Sequence, residues 1–170
     1  MIRRLNLHVA AVATLATACA TVGNPRVKPA VEEQAIRARL SDMMAIENAR
    51  DMAQALTFYA PDAVVQSPNM PEVKGVAAIR AMYSQQAKPG TPKMVGAIIE
   101  NTVAVAGSGD LAWDHGTART IITLPTGEVV ALSKHLIVWK KIDGVWYIAG
   151  MSWSSDSPVR AAAPAASTTK

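Results

Sequence analysis

"SKHLIVWKKIDGVWYIAGMSWSSD", residues 133–156, decides the fold. Two runs rich in β-branched and aromatic residues flank Asp143-Gly144, a dipeptide that favours a two-residue hairpin turn. Working back towards the N-terminus, "MVGAIIENTVAVA", "LAWDHGTARTIITL" and "VVALSKHLIVWK" are β-rich in the same way, and "GSGD" and "PTGE" separate them. The second half of the chain therefore reads as a four-strand antiparallel meander. The first half has a different period. Ile36, Leu40, Met43 and Met44 recur every three to four residues between Val31 and Asn48, which predicts a helix. A second short helix is expected near Asp51–Tyr59, then a short strand in "APDAVVQSP", then a third helix after Gly75 with Ile79, Met82 and Tyr83 inward. Three helices followed by a meander make an α+β domain with helices on one face of the sheet.

Successive strand residues point to opposite faces, so Asp114 and His115 cannot enter one pocket as a catalytic pair. Strand pairing extends the reading. A four-residue turn at "PTGE" sets Leu124 opposite Val129, His115 opposite Val138 and Arg119 opposite Lys134. The Asp143-Gly144 turn then sets Lys134 opposite Trp153 and Leu136 opposite Met151. One face collects Trp113, His115, Thr117, Arg119, Leu136, Val138, Met151 and Trp153, with Glu100 and Lys134 beside Arg119. Tyr59 and Tyr83 line the interior between helices and sheet. This apolar wall with a few polar groups is how small-molecule pockets are built, and His115 is its candidate acid or base. Two plainer readings stand beside it: Glu100, Arg119 and Lys134 as a rim charge cluster, and His115 as a structural histidine. The opposite face holds Asp114, His135, Ile137, Trp139, Trp146 and Ile148, and needs a cover. A homodimer partner, the chain ends or simple core packing would each supply one.

The ends of the chain suggest a compartment. "MIRRLNLHVAAVATLATACA" has two arginines, an apolar alanine-rich run and small residues, the pattern of a secretory signal. Without Arg3 and Arg4 the formal charge falls from +4 to 15 basic against 13 acidic residues, a balance of +2. That leaves no basic patch for nucleic acid. The only cysteine, Cys19, closes "LATAC" and resembles the lipobox of bacterial lipoproteins; cleavage after Ala20 by ordinary signal peptidase is the alternative. One cysteine excludes internal disulfides and a cysteine-based metal site. The domain reading is therefore signal over residues 1–19, linker over 20–30, folded domain over 31–156 and a Pro/Ala/Ser/Thr-rich disordered tail over 157–170. The protein is expected to be exported to a bacterial cell envelope, facing the periplasm and touching membrane only through a lipid anchor. No cofactor and no metal are expected.

"FYAPDAVVQSP", "VKGVAAIRAMY", "GSGDLAWDHGT" and "SKHLIVWKKIDGVWYIAGMSWSSD" together resemble the SnoaL-like and ketosteroid-isomerase-like bacterial branch of the nuclear-transport-factor-2-like superfamily. The resemblance spans nearly all of residues 31–156. It implies a cone: a curved antiparallel sheet wrapped around three helices and a deep, mostly apolar pocket. It does not carry the steroid-isomerase chemistry across. The position of that group's aspartate base holds Ser67, the oxyanion tyrosine falls at Met43, and the second oxyanion acid falls near Leu136. Trp153 matches the tryptophan deep in the last strand. Three functions remain open at this point: a module binding a small apolar or weakly acidic molecule, a lyase- or isomerase-type enzyme using His115, or an envelope scaffold dimer.

Overall fold

The computed structural model describes residues 28–156. Cys19, the signal-like segment, most of the linker and the 157–170 tail lie outside the described residues. No described helix is long and apolar enough to cross a membrane.

Helix α1 (Pro29–Asn48) opens on a proline, which suits a first helical turn where the missing N–H has no partner anyway. It buries Ile36, Leu40 and Met43, the stripe its spacing predicts. Helix α2 (Met52–Ala55) is a single turn capped by Asp51, whose carboxylate accepts the Gln54 N–H. It passes through a 3₁₀ turn (Leu56–Phe58) straight into strand β1 (Tyr59–Gln66). The second helix is thus shorter than its sequence suggests, and Tyr59 belongs to the strand. Strand β2 (Val73–Lys74) leads to α3 (Val76–Gln86), which buries Ile79, Met82 and Tyr83. Four long strands follow: β3 (Lys93–Val105), β4 (Leu111–Leu124), β5 (Gly127–Ile142) and β6 (Val145–Ser155).

The sheet has six strands in the order β2-β1-β6-β5-β4-β3. The expected meander is its larger part. Strand β1 extends it by running parallel to β6, so the sheet is mixed rather than purely antiparallel.

Two registers differ from expectation. Strands β4 and β5 meet at Leu124 and Gly127, so Pro125-Thr126 forms a two-residue turn. His115 then faces Leu136 and Thr117 faces Lys134, a shift of two positions that leaves every side chain on its expected face. The β5–β6 hairpin turns at Asp143-Gly144 as predicted, with Trp139 opposite Ile148. Between Val138 and Trp139 the register then slips by one. This bulge reverses the remainder of β6, so Met151 lies opposite Ile137, and Trp153 opposite His135. Both join the face of Asp114, not that of His115.

The helices cover that face. Val103, Ala112, Asp114, Ile137, Trp139, Trp146 and Ile148 are all buried, and together with the helical stripes they form the core. Trp139 and Trp146 are therefore core residues under the helices, not a subunit surface. Glu100, Trp113, His115, Arg119 and Lys134 occupy the outer, exposed face of the sheet. The two faces are inverted relative to the sequence reading. The cause is simple: both carry similar amounts of apolar surface, and alternation separates faces without saying which one the helices take.

Candidate functional site

A cavity of about 280 Å³ lies between the helices and the inner face of the sheet. Leu40, Val65, Ile98, Ile137 and Trp153 give it an apolar wall, and six methionines add to it. Its polar groups fall into three sets.

The first set is a hydrogen-bonded chain reaching in from α1. Glu47 lies one helical turn beyond Met43, on the same side of the helix, which carries its carboxylate under the domain. Tyr83 on α3 donates to Glu47 Oε1, and the hydroxyls of Tyr83 and Tyr59 lie 2.8 Å apart. Tyr59 Oη also lies 3.7 Å from Met151 Sδ. Burial pushes the Glu47 carboxyl above its usual range, and the bond from Tyr83 only partly opposes it. Burial also raises both tyrosines, with the Glu47 charge adding to the effect, so they stay protonated as donors.

The second set is centred on Asp114, which is 0% exposed. It sits opposite Ile137, so His135 and Trp139 are its diagonal neighbours on the same face, one on each side. Trp139 Nε1 donates to Oδ2, and His135 Nε2 lies 3.0 Å from Oδ1. In the tautomer with its proton on Nε2, the imidazole donates to Oδ1 and keeps Nδ1 as its acceptor. That Nδ1 is buried and has no hydrogen-bond partner among the described residues. The His135 ring lines the cavity beside Trp153.

The third set closes the rim. Asn48 grips β3 twice, its Nδ2 donating to the Gly96 carbonyl at 2.9 Å and its Oδ1 accepting the Gly96 N–H at 2.8 Å. Arg50, held at φ 61°, donates to the Gln86 carbonyl at 2.9 Å.

Of the residues singled out from the sequence, Tyr59, Tyr83, Met151 and Trp153 line this cavity. Glu100, Trp113, His115, Arg119 and Lys134 do not. His115 is exposed and stacks on Trp113 with ring centroids 5.2 Å apart. Lys134 pairs with Asp156. Glu100 faces Thr117, and a bulge separates it from Ala97, the partner of Arg119. Glu100, Arg119 and Lys134 thus stay on one outer face around Thr117, with Lys134 paired to Asp156. Sequence reasoning passed over Glu47 and His135. Glu47 had a signal, a carboxylate continuing the apolar stripe of α1. His135 had one too, since alternation already set it on the face of Asp114. Among the described residues no group of three metal-ligating side chains converges.

Known structures share this architecture. An NTF2-like protein of unknown function from Pseudomonas putida superposes with a TM-score of 0.67 at 22% identity, covering 77% of this chain and 91% of its own. A ketosteroid isomerase-like protein from Erwinia carotovora gives 0.62 at 23%, covering 75% and 98%. A Catenulispora acidiphila protein solved in complex with S-DNPA gives 0.66 at 13%, covering 75% and 95%. No curated protein matches the chain. At these identities the structural likenesses speak for fold alone. Residues 40–147, well over half the sequence, match the SnoaL-like domain, and the chain belongs to that family.

Proposed function

We propose that this protein binds a small, mainly apolar molecule in the cavity between its helices and sheet, outside the cytoplasm. The observation that carries the reading is the cavity itself: apolar walls with a few convergent polar groups. The secretory-type N-terminus supports export, and Cys19 supports a lipid anchor. Native mass spectrometry of protein purified from its own envelope tests this directly. A discrete extra mass, lost on denaturation, is expected. Protein that emerges bare and takes up nothing from an envelope extract would refute it.

A second copy of the chain is the proposed cover for the outer face of the sheet. Trp113, Leu132, Leu136 and Val138 are 39–47% exposed there. Arg119, Lys134 and Glu100 add both signs of charge, as a self-complementary two-fold contact requires.

One observation favours a catalytic variant of the same reading. His135 is oriented by a buried carboxylate at the cavity wall, the arrangement of a general base. His135→Gln keeps a donor for Asp114 and removes the base. If the pocket catalyses proton transfer, this variant should lose turnover of the recovered ligand while keeping its melting temperature.

A further inference from the structure

Six of the 23 residues lining the cavity are methionine, against 8 in the whole 170-residue chain. They are Met43 and Met44 on α1, Met52 on α2, Met82 on α3, Met94 on β3 and Met151 on β6. A single amphipathic stripe would place methionines on one helix, yet these arrive from five separate elements. Only Met70, in the turn between β1 and β2, lies elsewhere among the described residues. Packing alone does not call for such enrichment, because leucine and isoleucine fill apolar walls with better-defined rotamers. Thioethers add polarisability, adaptable shape and favourable contacts to the edges and faces of aromatic rings. A wall spread over about 280 Å³ suits an organic molecule better than the tight ligand shell of one metal ion.

The polar chain specifies one end of such a molecule. Tyr83 spends its only proton on Glu47, so the 2.8 Å contact between the tyrosine hydroxyls has Tyr59 as donor. The Tyr59 oxygen, beside Met151, then retains acceptor capacity and no free proton. We propose that the cavity takes a flat aromatic molecule of one or two fused rings, its faces against methionine sulfur and one hydroxyl donating to Tyr59. The inference rests on the ligand-pocket reading above and narrows it to a phenol-like class.

Calorimetric titration of the full-length protein with 2-naphthol, naphthalene and decahydro-2-naphthol tests it. The two alcohols share a carbon skeleton and differ in aromaticity; the two aromatic probes differ in the hydroxyl. The aromatic alcohol should bind about tenfold tighter than the saturated one, the sum of a few sulfur–ring contacts. Protein made with norleucine in place of methionine keeps the shape of the wall without sulfur, and there the preference should fall to about twofold or less. If that protein does not fold, the double variant Met44→Leu/Met151→Leu carries the same comparison. Tyr59→Phe should remove the preference for 2-naphthol over naphthalene. Equal binding of both alcohols, or a preference that survives the loss of sulfur, overturns the aromatic assignment and leaves the pocket reading standing. An unchanged hydroxyl preference in Tyr59→Phe overturns the role of Tyr59. If none of the three probes binds, the aromatic assignment is overturned, while the ligand recovered by mass spectrometry decides the broader reading separately.

Discussion

Asp114 and His115 are adjacent in sequence and belong to different environments. Asp114 is sealed beneath the helices with two N–H partners on strand β5, whereas His115 lies in the open, stacked on Trp113. The inner face of the sheet is organised around one buried carboxylate, and around a cavity. The outer face is a patchwork of exposed valine, leucine and tryptophan with scattered charge. Two residues of similar polarity thus have unequal weight, because burial sets the cost of leaving a polar group unpaired.

The most forceful way to break this comparison is Asp114→Ala. It strands the Trp139 and His135 nitrogens inside the core and should cost about 3 kcal/mol or more, by urea denaturation. His115→Ala should fall within about 0.5 kcal/mol of the parent. Similar losses in the two variants would show that the faces do not differ as described. A smaller effect, about 2 kcal/mol, is expected for Gly116→Ala at the seam between strands. A Cβ at that position would collide with the carbonyl oxygen of Glu100 and lie 2.8 Å from Asn101 Cα. Gly107→Ala, with nothing within 4 Å, is the control and should be almost silent.

Leu136→Glu probes the outer face alone. If a second copy covers that face as proposed, the variant should shift a sedimentation profile from dimer to monomer while leaving the melting temperature nearly unchanged. A persistent dimer would move the contact elsewhere.

The subtlest test concerns Glu47. Its native pKa lies above the ordinary 4.5, so the folded state holds a proton that the unfolded chain releases. Stability should therefore fall as pH rises from about 4.5 through the native value and then level off, with a slope of at most about 1.4 kcal/mol per pH unit. Glu47→Gln should flatten that segment. Glu32, at the other end of α1, acts in the opposite sense. Lys141 and Trp146 hold its carboxylate below the usual range, so its contribution is present above the ordinary value and lost as pH falls. A curve unchanged by Glu47→Gln would mean that its carboxylate is solvated.

Much of this architecture was legible in the residues. Alternation put Asp114 and His135 together, the Asp143-Gly144 dipeptide located the last hairpin, and helical spacing marked the buried side of α1. The site was less legible, for two physical reasons. The outer strand residues Trp113, Leu136 and Val138 are as apolar as the inner Ala112, Ile137 and Trp139, so composition could not tell core from surface. The bulge after Val138 has no strong local signature, and a reading based on period two carries the wrong phase through everything beyond it. Tyr83 escaped this error because helical spacing marked the inward side of α3, and Tyr59, although it opens β1 instead of ending a helix, lies on the N-terminal half that the bulge does not reach.

That bulge makes β6 a message read in two frames. Up to Ile148 the strand follows one frame, and from Gly150 onward it follows the other. If Ala149 were instead paired in an unbulged ladder, strict alternation from Ile148 would turn Ser152 and Ser154 inward and expel Met151 and Trp153. The cavity would lose its floor without any change in strand count, helix content or composition. One inserted residue is enough to separate a packed sheet from a hollow one.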